Sequence, residues 1–322
     1  MDGGPGIDGS RAGMEWVMKV RIGIGSGGGS PTELADLVDR LEKLEVDSLW
    51  LSEHLSTPAV DPLVGMAFAL GRTSQLKVGT GVAVLPGRNP VLLAKQLSSL
   101  ALLAPRRVLL VLGLGPARLE DRSAFPLPEA RGETRPAGTV GRRGAVFDEA
   151  LEVLRRLLRE PQVTFHGEFF DFTEISIGEL PTRPLEIWLG GSTPAALRRI
   201  GRFGDGWLAT GVDSPERVAA GIAEIQRNAA AAGRRIDDDH FGLSLRVAFE
   251  PPPAEAVEAL RRRFPDSDPA LVLPVGWATT RKLIGEYIAV GVSKFVIHPF
   301  STPGGWPSIL DSFAAELMPL EN

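Results

Sequence analysis

A chain of 322 residues with 43% apolar content can bury a large core, which excludes disordered and fibrous architectures. Charged residues make up 23% and the formal net charge is −5, so no basic field is available to hold a nucleic-acid backbone. The lack of cysteine removes disulfides, thiolate nucleophiles and Cys-ligated metals, and no apolar run approaches the roughly 20 residues of a membrane span. A cytoplasmic protein acting on a small molecule is the expectation, with no nucleic-acid, membrane or metal partner.

Residues 1–17 are Gly-rich without a hydrophobic period and read as a flexible leader ahead of a single domain over residues 18–322. From Lys19 onward, short β-branched and Leu-rich runs alternate with segments of helical period. Strands are expected at 20–25, 48–54, 76–85, 106–115, 185–191, 205–210, 242–250 and 294–300. Ser30-Pro31 with Glu33, Asn89-Pro90 and Ser214-Pro215-Glu216 supply helix starts between them. The first four strands begin at residues 20, 48, 76 and 106, one βα repeat apart, and eight such units fit a (β/α)8 TIM barrel of the α/β class. A doubly wound sheet is the alternative. Gly23-Ile24-Gly25-Ser26-Gly27-Gly28 satisfies G-x-G-x-x-G and Glu53 ends the next strand, although the first two glycines fall inside the strand itself.

The spacing breaks after strand four, where residues 116–143 form a long insertion rich in Pro, Arg and Glu that reads as a lid over the barrel mouth. Residues 162–174 then read as a hairpin around His166-Gly167, and a second long connection, 251–278, also faces the barrel top.

Active sites of such barrels lie at the C-terminal ends of the strands. That places His54 and His298 at the mouth, His240 on the opposite face and His166 on the hairpin. A histidine titrates near neutrality and can move a proton beside a reacting carbon–oxygen bond, or it can simply hold a loop. The turns Gly190-Gly191-Ser192 and Thr210-Gly211-Val212 end adjacent strands before helices. Their free N–H groups could converge on a phosphate, or the glycines could only relieve strain in short loops.

Five phrases, LWLSEHL, TGVAVLPGRNPVLLAKQLSSL, RRGAVFDEALEVLRRLL, TFHGEFFDF and PLEIWLGGSTPAALRRIGRFGDGWLATG, resemble the luciferase-like flavin and deazaflavin oxidoreductases over roughly residues 19–235. The resemblance implies a barrel that binds coenzyme F420, or alternatively FMN, with the ring deep in the mouth and the phosphate near the rim. By it, Gly190, Gly191, Ser192, Thr210, Gly211 and Val212 form the phosphate site. Gly81-Val82 becomes a bulge behind the ring, commonly with a non-prolyl cis peptide, and Leu114 and Gly115 border the cofactor. Glu53 and His54 stand beside the reactive ring, His54 as the proton donor or acceptor during hydride transfer. Relatives are commonly homodimers, which suits the apolar helix at 90–104. Pro116 stands where a sugar-phosphate dehydrogenase of the family carries an acid, which speaks against that substrate class. An FMN-dependent monooxygenase fed by a separate reductase and a non-catalytic flavin-binding protein are the competing readings.

Overall fold

The computed structural model describes residues 18–26, 31–55, 57–116, 120–131 and 142–322. Ser30, Gly27, Gly28 and the leader, with parts of the insertion, lie outside the described residues.

All eight expected strands form. β1 (Arg21–Ser26) leads through α1 (Pro31–Lys43) to β2 (Ser48–Leu51), then α2 (Pro62–Arg72). The third is split into β3 (Lys77–Thr80) and β4 (Ala83–Val84), followed by α3 (Pro90–Leu103) and β5 (Val108–Gly113). After a short 3-10 turn (Glu120–Ala124) come α4 (Arg143–Leu157) and the hairpin of β6 (Val163–His166) and β7 (Asp171–Ile175). β8 (Ile187–Gly190), α5 (Pro194–Phe203), β9 (Gly206–Thr210), α6 (Pro215–Ala231) and β10 (Phe241–Val247) continue the alternation. The long last connection holds α7 (Ala254–Arg263) and α8 (Pro269–Val272), and α9 (Gly276–Ala289), β11 (Lys294–Pro299) and α10 (Gly305–Glu316) complete the chain.

The sheet closes. Its order is β3-β2-β1-β11-β10-β9-β8-β5-β4, every ladder is parallel, and β3 also pairs with β5 through Val78 and Val108. Counting β3 and β4 as one broken stave, this is an eight-stave barrel, which overturns the doubly wound alternative. Gly23 and Gly25 therefore serve as inward positions of a barrel strand, where side chains from neighbouring staves fill the space.

Burial on both faces explains the continuous apolar runs of the strands. The outer faces (Ile22, Ile24, Leu49, Val78, Leu243, Phe295) pack under the helices, and the barrel lumen is plugged by Trp50, Val111, Trp188, Leu208 and Val296. Asn89 and Ser214, two of the expected helix starts, cap their helices, accepting from Val91 N–H at 2.9 Å and Arg217 N–H at 3.4 Å, and Asp61 and Thr193 cap α2 and α5 in the same way, at 2.9 Å and 3.2 Å. The described part of the insertion docks on the body. Phe125 lies against Gly87 of the β4–α3 loop, and Ala130 packs with Val146 and Phe169.

Candidate active site

The break between β3 and β4 sits at the mouth. The Gly81–Val82 peptide is cis, as the resemblance implies. Across the break the buried Thr80 hydroxyl replaces the ladder, donating to the Val111 carbonyl at 2.7 Å and accepting from the Val111 N–H at 3.0 Å. Gly81 N–H is held by the Leu51 carbonyl at 2.8 Å, and its own carbonyl accepts from Ser52 Oγ at 2.9 Å. With both ends of the break fixed, the Val82 side chain projects into the lumen.

Around Val82 the neighbouring staves present bare backbone. A Cβ at Gly113 would stand 2.6 Å from Val82 Cγ2, and one at Gly190 would stand 3.2 Å from Val82 Cγ1. A Cβ at Gly25 would stand 2.1 Å from His298 Cε1. Glycine at these three top-layer positions makes room for the Val82 side chain and the His298 ring, so the floor is apolar at Val82 and bordered by an imidazole, a shape that suits a flat ring system.

Cationic and imidazole groups overlook this floor. His298 ends β11 and is held down to about 4 by burial, with Arg246 and His54 adding to the effect, so its ring is neutral at pH 7. Arg246, two residues beyond Ser244 on the inward face of β10, keeps solvent access in the crowded mouth. Burial, with the like charge of Arg263, pulls its pKa below the ordinary arginine range. His54, exposed just past β2, approaches from the other side of β1. His298 stands at the mouth as its place at the end of the last strand led us to expect, whereas Arg246 is a site residue that the sequence reading did not select. The signal for Arg246 was a period of two, shared with the lumen positions Gly242 and Ser244.

Glu53 is turned away from the cleft. Its buried carboxylate accepts from Val84 N–H at 2.6 Å and pairs with Arg88, whose Nε also donates to the Val84 carbonyl at 2.9 Å. It braces the strand behind Val82. At the rim, Gly191 adopts φ +110° and its carbonyl accepts from Trp207 Nε1 at 2.9 Å, while Ser192 is exposed ahead of α5. Gly211 N–H is already taken by the Ser244 carbonyl at 2.7 Å, leaving the exposed Thr210 and the Val212 N–H as that turn's donors. Leu114 is exposed, and Gly115 at φ +127° lies beside the Arg143 guanidinium, which binds the Phe125 carbonyl at 2.9 Å and so ties the insertion to the mouth.

The other histidines stand elsewhere. His166 Nδ1 meets Asp171 at 2.6 Å on the hairpin, and His240 Nδ1 meets the Asp205 carbonyl at 2.8 Å at the far end of the barrel. Among the described residues no group of three or more His, Asp or Glu could hold a metal ion, and no helix is long and apolar enough to cross a membrane.

Comparison with known proteins agrees with this architecture. An F420-dependent glucose-6-phosphate dehydrogenase of Kineococcus radiotolerans is 26% identical over 90% of this chain and 93% of its own length. Among solved structures, an F420-dependent secondary alcohol dehydrogenase in complex with an F420–acetone adduct superposes with a TM-score of 0.77 at 19% identity, covering 95% of this chain and 100% of that one. The oxygenating constituent of 3,6-diketocamphane monooxygenase from Pseudomonas putida, in complex with FMN, gives 0.68 at 16% identity over 94% and 99%. The profile of the luciferase-like monooxygenase family matches residues 14–287, and the chain belongs to that family.

Proposed function

We propose that this protein is a coenzyme F420-dependent oxidoreductase acting on a small organic substrate at the barrel mouth. The observation that carries the reading is the floor, Val82 standing between Gly113 and Gly190, whose missing side chains leave it open to the mouth from both flanking staves. Relatives named as F420-dependent dehydrogenases over nine-tenths of the chain support it. When bound there, the deazaflavin supplies hydride exchange at its C5.

The chain's own residues hold and protonate. His54 gives or takes the proton that accompanies hydride transfer, at the exposed edge of the cleft. His298, neutral at pH 7, offers one donor and one acceptor to polar groups on the floor. Val82, with Gly81, Leu114 and Gly115, shapes the ring cleft. Gly190, Gly191 and Ser192 present backbone at the start of α5, where the helix dipole favours a phosphate, and Thr210, Gly211 and Val212 complete the rim. Glu53 acts one step back, as a positioning residue through Val84 and Arg88. The described part of the insertion borders the mouth, where Arg143 holds the Phe125 carbonyl.

The reading extends to a cytoplasmic homodimer. Leu92 and Leu103 on α3 are 64% and 83% exposed, and Val64 on the neighbouring α2 is 62% exposed, an apolar surface that a second copy would cover. Light scattering on the purified protein checks this. The function is tested by parallel fluorescence titrations with oxidised F420, FMN and NADP. Selective F420 binding is expected. Selective FMN binding would move the protein to the FMN-dependent monooxygenases, and tight binding without turnover of any acceptor would make it a carrier.

A further inference from the structure

At the end of the barrel opposite the mouth, a cavity of about 340 Å³ opens between the N-terminal ends of the strands. Its floor is the underside of the lumen plug, where Trp50 and Trp188 meet the half-buried Leu109. Its walls carry six cations from separate stretches of chain: Lys19, Arg21, Lys77, Arg106, Arg183 and Lys294.

The carboxylates nearby do not balance them. Asp47, buried behind the wall, is shared by Lys77 at 2.5 Å, Lys294 at 3.5 Å and Arg21 at 3.6 Å. Glu186 and Asp239 line the cavity but stand 3.6 Å and 3.8 Å from His240 Nε2. Lys19, Arg106 and Arg183 make no hydrogen bond or ion pair among the described residues. Asp47, Glu186, Asp239 and the half-buried Glu321, which lies within reach of Arg21 and Lys294, still leave the six cations in excess around one opening. Burial pulls the Lys294 ammonium below the usual lysine range against the attraction of Asp47, so it gains from a second anion. Fold stability alone gains nothing by converging like charges, whereas a ligand that brings negative charge relieves their repulsion.

We propose that this cavity is a second ligand site, built for a small organic anion whose ring rests on the apolar floor at the Trp188 edge and Leu109 and whose phosphate or carboxylate lies among Lys77, Arg183 and Lys294. The size suits a nucleotide-like molecule, and recognition combines aromatic contact with charge-assisted hydrogen bonds. Nothing in the proposal depends on which cofactor occupies the mouth.

Calorimetric titrations at low ionic strength, with and without saturating F420, decide it, using adenosine 5′-monophosphate, inorganic pyrophosphate and uncharged adenosine as probes. The monophosphate should bind at a single site, weaken with added salt, change tryptophan fluorescence and ignore F420. Arg183→Glu and Arg106→Glu, both at exposed positions, should each weaken it about tenfold. Lack of binding by both anions at millimolar concentration, displacement by F420, or indifference to both substitutions would overturn the site. A monophosphate that binds no better than pyrophosphate would overturn the role of the apolar floor.

Discussion

His54 and His298 reach the cleft from the two staves that flank β1, with Gly25 between them because any side chain there would strike the His298 ring. Their roles separate by environment. His54 is exposed and carries the proposed proton transfer, so His54→Gln should lower kcat by about 100-fold on any substrate turned over, with the F420 Kd changed by less than about threefold. Steady-state kinetics and a binding titration on one preparation test both halves. His298 lies in the crowded mouth, facing Arg246 and His54, and its folded-state value of about 4 lies below the unfolded value of about 6.5. Between those values the unfolded chain binds more protons, so stability is complete above pH 6.5 and falls as pH drops toward 4, by up to about 3 kcal/mol. Urea unfolding of the unliganded protein at pH 7 and pH 5 should show the loss, and His298→Asn should flatten it.

The broken third stave is the element on which the site depends. Thr80 satisfies both backbone groups of Val111 where the ladder is interrupted, so Thr80→Val should cost about 2 kcal/mol by leaving them unpaired. Thr80→Ser keeps the hydroxyl and should recover most of that, as denaturant midpoints would show. The staves were legible in the sequence because each is buried on both faces and bounded by turn residues, as in SLWL and VLLVLG. The break was not legible from pattern alone, since 76–85 is one apolar run, and only the family resemblance pointed to Gly81-Val82. Adjacent residues leaving a strand point to opposite sides, which is why His54 faces the cleft while Glu53 turns to Arg88 and Val84. Arg246 was hidden for a related reason. It reads as one charge in GLSLRVAFE until the lumen side of β10 is fixed by Gly242 packing against Trp188. The rim turns were found by their glycines, but the use of Gly211 N–H by Ser244 depends on a neighbouring stave that local sequence does not reveal.

At the scale of the whole molecule, the two ends of the described chain are fastened together. Asn322 accepts from Val20 N–H at 2.8 Å, Glu321 accepts from Ile22 N–H at 2.6 Å, and β11 pairs with β1 along Arg21 to Ile24. Replacing Glu321 and Asn322 together by alanine should lower stability by about 2–3 kcal/mol, read from denaturant midpoints, with the mouth residues undisturbed. The barrel is therefore held at one end by a clasp and carries its chemistry at the other.

That clasp joins positions 302 residues apart, and this fixes an order of events on the ribosome. At about 5–20 residues per second, Val20 emerges roughly 15–60 s before Asn322 exists to bind it. For most of that interval β1 shows an unpaired edge, because its second neighbour, β11, begins only at Lys294. A nascent chain stalled before that strand is an open, sticky sheet rather than a smaller enzyme, and its fate is set by the chaperones that reach it.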